Sequence, residues 1–306
     1  MTTNAIDNSV LHQAAESAPI SLWRRFYWNV RRELWENRLI YLAPLGVAAV
    51  FFAGFAVSTI HLPQMMRAAM KLGAMERHGI ATPYDITAGL MMLVMMIVGT
   101  FYCLDALYGE RRDRSILFWK SLPVSDTMTV LSKACIPFVV LPLLVFAVAV
   151  ATDFLMLLLS SAVVAGSGQS AGALWHALSL PRVCELLLYH LITGHVLWHA
   201  PFYAWFLLVG AWARRAPFVW AFLPPSALCF LEKIAFNTTY FLDMLKYRLM
   251  GNSMDVVMAH GAFPTDPMTE MTPLRYLASP GLWTGIFFTA ALLMVAVRLR
   301  RVRGPI

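Results

Sequence analysis

Charge is what this sequence has least of: 13% of its 306 residues are Asp, Glu, Lys or Arg, against 59% that are apolar. Soluble globular domains carry about 25% charged and 45–50% apolar residues. A water-facing surface of this size does not tolerate so large a shortfall, which excludes a soluble enzyme and a disordered scaffold. Cysteine is scarce as well. Cys103, Cys135, Cys184 and Cys229 lie far apart with no CxxC pair, so neither a disulfide framework nor a zinc site is indicated. Nucleotide and protease signatures are missing too: no G-x-x-x-x-G-K-S/T loop, no G-x-G-x-x-G and no H-E-x-x-H occurs. The chain is therefore expected not to be an enzyme by itself, and any energised work needs another chain to supply the energy. Residues 1–22 contain no apolar core of the signal-peptide kind, so the first membrane span is expected to serve as an uncleaved targeting signal.

What is present is apolar sequence in long runs, with a mean hydropathy of +0.63. A helix needs about 20 mainly apolar residues to cross a bilayer. Six segments meet that requirement, at about 39–60, 86–108, 134–164, 187–213, 217–236 and 276–297. Pro224-Pro225 interrupts the fifth and is expected to kink or break it. The expected fold is an all-α polytopic membrane protein of six spans, preceded by a polar tail over 1–18. With both termini inside, 16 of the 24 Lys and Arg residues fall in inside segments, and the other eight in outside segments of greater combined length. That bias predicts an N-in, C-in topology. It also makes nucleic acid an unneeded explanation for the net charge of +7.

Before the first span, residues 19–38 form a separate element. Trp23, Phe26, Tyr27, Val30 and Leu34 fall on one face at helical spacing, and Arg24, Arg25, Arg31 and Arg32 on the opposite side. This pattern predicts a helix lying in the headgroup plane, with a frayed extension of the first span as the alternative.

The fourth segment contains His190, His195 and His199. His195 and His199 are four residues apart and share a face, as paired metal or haem ligands do, while His190 lies on a different face. Together with Glu232 they are candidates for lining a polar pathway; structural packing accounts for them equally well. Asp105, Asp153 and Glu232 are expected near span ends, in snorkelling or capping roles where water is available. Met65, Met66, Met70 and Met75 suggest a thioether copper site, although a chain with 18 methionines explains them by packing.

The most specific feature is Tyr108–Asp126, Y-G-E-R-R-D-R-S-I-L-F-W-K-S-L-P-V-S-D. Glu110, Arg111, Arg112, Asp113 and Arg114 are followed by the apolar block Ile116, Leu117, Phe118 and Trp119. Four bulky apolar residues in a charged loop must meet the bilayer surface or a partner. Ser125 or Asp126 can cap the helix that follows.

This stretch resembles the coupling helix of permease subunits in ABC exporters of the ABC-2 type (type V). Ala211–Pro225 (A-W-A-R-R-A-P-F-V-W-A-F-L-P-P) and Phe230–Thr238 (F-L-E-K-I-A-F-N-T) also look like the bacterial branch of that family. The resemblance implies an elbow helix carrying Trp23, Phe26, Tyr27, Arg31 and Arg32, and a single permease domain over 19–306 in the bacterial inner membrane. It further implies a homo- or heterodimer with a second permease copy or paralogue. A separate ATPase subunit, carrying ATP and Mg, would dock on residues 110–122. Phe236–Arg248 and Pro273–Pro280 would form short outer helices that partly re-enter the membrane. The competing expectations are a membrane oxidoreductase or haem protein built on His195 and His199, and a non-transporting assembly factor. Nothing in the residues selects a substrate.

Overall fold

The computed structural model describes residues 21–64, 74–121, 124–168, 170–177, 179–250 and 273–306. The expected polar tail, Met65, Met66, Met70, Leu122 and Pro123 lie outside these residues. Among the described residues the regular structure is helical, with no strand. In chain order the helices are α1 Leu22–Glu36, α2 Leu39–Ser58, α3 Ala74–Ala106, α4 Tyr108–Arg112, α5 Ile116–Ser121, α6 Asp126–Cys135 and α7 Leu141–Gly166. They continue as α8 Gly172–Ala177, α9 Leu180–His190, α10 Ala200–Trp212, α11 Pro217–Phe236, α12 Tyr240–Met250, α13 Pro273–Leu277 and α14 Pro280–Val302.

Among the described residues five helical stretches are long and apolar enough to cross a membrane: Leu39–Gln64, Thr82–Arg112, Asp126–Gly166, Pro217–Phe236 and Pro280–Val302. The protein is therefore a membrane protein by length and composition of its helices. The third stretch is one helix of 41 residues, longer than the 134–164 expected. It contains π turns over Ile136–Val140, where the Leu141 N–H reaches back to Ile136 O. Pro142 cannot donate to the carbonyl four residues behind it, and the wider turns absorb that loss without a break.

The expected fourth span, 187–213, is not a single helix. α9 passes into π turns over Leu191–Trp198, and the regular backbone stops at His199, with φ −85° and ψ 2°, before α10 begins. Pro201, at the start of α10, has no N–H to carry the ladder across this point. The fifth segment departs from expectation in the other direction. α11 runs through Pro224-Pro225 without interruption. Pro225 leaves Ala221 O without its helical donor, and Trp205 Nε1 of α10 supplies one at 3.0 Å.

α10 packs along α14 and α3, and α2 along α3 and α7. Gly210 sets the α10–α3 approach: a Cβ there would sit 2.9 Å from Leu104 O and 3.2 Å from Cys103 O. Those are backbone atoms and cannot swing aside, which is why a small residue is required. Gly210→Ala should cost about 1–3 kcal/mol as overpacking, read as a lower melting temperature in nanodiscs. Gly54→Ala, with open space around its Cβ position, is the control that should leave melting unchanged.

Candidate functional site

At one end of the bundle, four elements converge on a buried ionic cluster. α1 starts at Ser21, whose Oγ accepts from Arg24 N at 3.3 Å. Its inward face carries Phe26, Val30 and, one further turn on, Glu33, which is 1% exposed. α4 contributes Glu110, α6 contributes Asp126 and Lys133, and α14 contributes Arg300. Ser125 caps α6 by accepting from Met128 N at 3.1 Å, which leaves Asp126 free to pair with Arg300 Nε at 3.2 Å.

Lys133 Nζ lies 2.8 Å from Glu33 Oε1 and 3.1 Å from Glu110 Oε1. Arg32 Nη2 bridges the same two carboxylates at 2.7 and 3.2 Å. Arg300 Nη1 donates to Glu110 Oε2. Tyr102 of α3 closes the cluster, its hydroxyl donating to Glu33 Oε2 at 2.9 Å. Glu33, Glu110 and Asp126 thus meet Arg32, Lys133 and Arg300, three charges of each sign. Buried ions are tolerated only when paired and hydrogen-bonded, and this set balances formally to zero. The cluster joins the amphipathic helix, the loop after α3 and the last helix in one electrostatic unit.

Burial raises the Glu33 carboxyl, but Lys133 and Arg32, both hydrogen-bonded to it, outweigh that and hold it below its ordinary value of 4.5. The folded state therefore releases this proton more readily than the unfolded chain, which binds more protons as pH falls. The stabilisation is present above about 4.5 and is lost as pH drops through the lower folded value. Melting temperature should decline on acidification below that point, and Glu33→Gln should flatten this acid limb. A wild-type acid limb as steep as the variant's would rule the ionised Glu33 out as its source.

Next to the cluster, Asp113 and Arg114, the latter in the left-handed region at φ 61°, turn the chain from α4 into α5. The nine residues expected to couple to a partner separate here into three groups. Glu110, Arg111 and Ile116 are buried in the chain itself. Arg111 Nη1 donates to Ala211 O at 2.8 Å and Ala213 O at 3.0 Å, and its Nε donates to Gly304 O. These three make their contacts within the chain. Arg112, Asp113, Arg114, Leu117 and Phe118 are exposed, with Leu117 at 57% and Phe118 at 59%. Trp119 is intermediate: the Arg32 guanidinium lies 3.7 Å from its ring, and the Phe118 ring meets it edge-on at 4.9 Å.

The residues of α1 are divided as well. Trp23 and Tyr27 point away from the chain, at 82% and 58% exposure. Arg32, expected on the far side from the apolar face, turns inward because Glu33 and Glu110 draw it there. Arg31 is sandwiched between Trp28 and Trp35, 4.9 and 4.6 Å from their rings.

The histidines lie elsewhere, at the α9–α10 break. His195 and His199 stack with centroids 5.2 Å apart. His199 Nδ1 faces Gly194 O at 2.5 Å and Nε2 faces Leu249 O at 3.2 Å, so both ring nitrogens already meet carbonyls. His190 Nδ1 bonds Leu186 O at 2.7 Å. Among the described residues no group of three or more His, Cys, Asp or Glu is placed to hold a metal. Glu232 does not join the histidines. Its carboxylate caps α12, accepting from Tyr240 N at 2.7 Å, Phe241 N at 2.8 Å and Thr238 Oγ1 at 2.8 Å. Asp105 is exposed and 3.8 Å from Arg112.

The fold and the cluster define an all-helical membrane protein with an internally braced polar end. Comparison with family models, curated proteins and solved structures finds no match to this chain.

Sequence reasoning singled out Arg32 and Glu110 but missed Glu33, Lys133, Arg300, Asp126 and Tyr102 as the other members of the cluster. A signal was available for Glu33, which falls in register with Phe26 and Val30 on the apolar face of α1.

Proposed function

We propose that this chain is the membrane-spanning permease subunit of an ATP-binding cassette exporter, coupled to a separate ATPase subunit. The observation that carries the reading is the α4–α5 loop. It presents Leu117 and Phe118 outward, beside the exposed charges of Arg112, Asp113 and Arg114, while its inner residues enter the ionic cluster. A docked partner pushing on α5 acts through Trp119 on Arg32 of α1, and through Glu110 on Lys133 and Arg300, so movement at the loop reaches α1, α6 and α14 together. Apolar residues supply affinity in such a contact, and the charged rim supplies orientation.

In this reading both termini are cytoplasmic, the membrane is the bacterial inner membrane, and the broken α9–α10 unit completes six crossings. The subunit works as a homo- or heterodimer. α11 supports this, since only 6% of its most apolar stretch is covered by the rest of the chain. The chain holds no cofactor; ATP and Mg belong to the partner.

The test is reconstitution with a phosphate-loop ATPase encoded beside the gene. The expected result is a stable complex, with ATP turnover absent from the membrane chain alone. Phe118→Ala should weaken that complex by about 2 kcal/mol, roughly 30-fold, without lowering the melting temperature of the membrane chain. ATP turnover by the chain alone, or an undiminished complex in the Leu117→Ala/Phe118→Ala double variant, defeats the proposal.

A further inference from the structure

Asp153 stands where a membrane helix should carry an apolar residue. Val145, Ala149, Asp153, Met156, Ser160 and Val164 succeed one another at helical spacing along α7, and all are buried. The expected contact with water is therefore not met, because the side chain is buried among the packed helices. Asp153 is 1% exposed, and among the described residues neither carboxyl oxygen has a hydrogen-bond partner. It lies about 30 Å along the helix from Lys133, so the ionic cluster does not serve it.

Among the described residues, the elements packed around this point place no cation in an ion pair with it. α3 presents Tyr84, whose ring meets Phe55 of α2 edge-on at 6.1 Å, and the exposed carboxylate of Asp85. Thr87 of α3 donates to Pro83 O at 2.9 Å and contacts Met156 Sδ at 3.5 Å. α9 presents Cys184, while its Arg182 and Glu185 are exposed and 3.5 Å from each other. His190, farther along α9, bonds the Leu186 carbonyl. Among the described residues, the titratable groups whose fields meet that of Asp153 are thus Tyr84, Asp85 and Cys184, each an acid. A carboxylate left unpaired in a low-dielectric interior costs far more than the neutral acid does.

We propose that Asp153 is a proton-binding site: the closed packing of α3, α7 and α9 holds it as the neutral acid, and separating these helices at its level releases the proton. On opening, the O–H bond breaks, the electron pair stays on the carboxylate and the proton passes to entering water. By linkage, acid favours this packing and alkali favours opening. The site is independent of any export role, because it rests on burial and the absence of a partner, not on the α4–α5 loop.

Infrared spectroscopy of the full chain in lipid nanodiscs, with isotope-labelled aspartate, tests the protonation. The expected result at neutral pH is an aspartic-acid carbonyl band that Asp153→Asn, its uncharged isostere, abolishes. Alkylation of Cys184, with Cys103, Cys135 and Cys229 changed to Ala, tests the opening. With Asp153 present, the rate should climb by up to roughly tenfold per pH unit beyond thiol ionisation. In Asp153→Asn only the thiol's own titration should remain. A missing band, a band that survives Asp153→Asn, or identical alkylation profiles for the two chains overturns the proposal.

Discussion

Glu110→Ala will destabilise the folded chain by about 3–5 kcal/mol, because it removes one member of a buried, balanced ion cluster and strands its partners. Arg300 keeps only Asp126, Lys133 must share Glu33 with Arg32, and the cluster is left with one uncompensated positive charge. Asp113→Ala is the matched control. Asp113 is three residues away and pairs with Arg112 at 2.9 Å, but both side chains are more than half exposed. Pairs of that kind are worth about 0–1 kcal/mol. Glu110→Lys should be worse than Glu110→Ala, since it adds a fourth cation to the three already enclosed.

The double variant Glu110→Gln/Lys133→Met restores neutrality and should recover part of the loss, giving a favourable interaction term in a double-mutant cycle. Thermal melts in nanodiscs decide the matter. If Glu110→Ala melts together with Asp113→Ala, the cluster does not brace the fold. The same result constrains functional work on the loop: a Glu110 variant that fails in transport has first to be shown folded, whereas Phe118 and Leu117 variants carry no such ambiguity.

The second large effect is expected at Trp198. It is fully buried, lies 5.3 Å edge-on to Tyr247 and carries the Arg248 guanidinium 4.4 Å from its ring. Arg248 also donates to Gly281 O at 2.8 Å and fills the space that a Cβ on Gly285 would need. Trp198 is therefore the platform on which α12 docks against the α9–α10 break and the start of α14. Trp198→Ala empties that platform and should cost about 3–5 kcal/mol.

The loss should be local in character. With the indole gone, Arg248 loses its cation–π contact and the His199–Leu249 contact loosens. Hydrogen exchange should accelerate along α12 while remaining slow in α3 and α7, which contribute no residue to the apolar cluster of Trp198, Tyr276 and Leu282. Unchanged α12 exchange in a folded Trp198→Ala chain would mean that another contact holds the helix. Replacing Trp220, which is largely exposed on α11, should have no comparable effect.

The histidines show how far spacing alone reaches. Four residues placed His195 and His199 on one face, and the rings do stack. Spacing could not show that both nitrogens of His199 meet backbone carbonyls, one of them Leu249 O, fifty residues away. Asp153 shows the same limit. Its place in the sequence could not show that its carboxyl is buried, with no hydrogen-bond partner among the described residues.

What the sequence determined by itself is that this is a helical membrane protein, because the apolar runs and the scarcity of charge leave the backbone no other way to satisfy its polar groups in lipid. It also located the amphipathic helix before the first span and the apolar block Ile116–Trp119, both readable from local periodicity and charge. Tertiary structure decided which charges work inside. Glu33, Glu110, Asp126, Lys133, Arg300 and Arg32 come from four separate elements, and their pairing depends on where helix ends meet, which no local pattern encodes. It likewise decided that Pro224-Pro225 leaves α11 intact, since Trp205 reaches across to Ala221 O, while Pro201 marks a real break. The physical reason is the same in each case. A buried charge or an orphaned carbonyl is stable only when another segment supplies its partner, and that supply is a property of the packed chain.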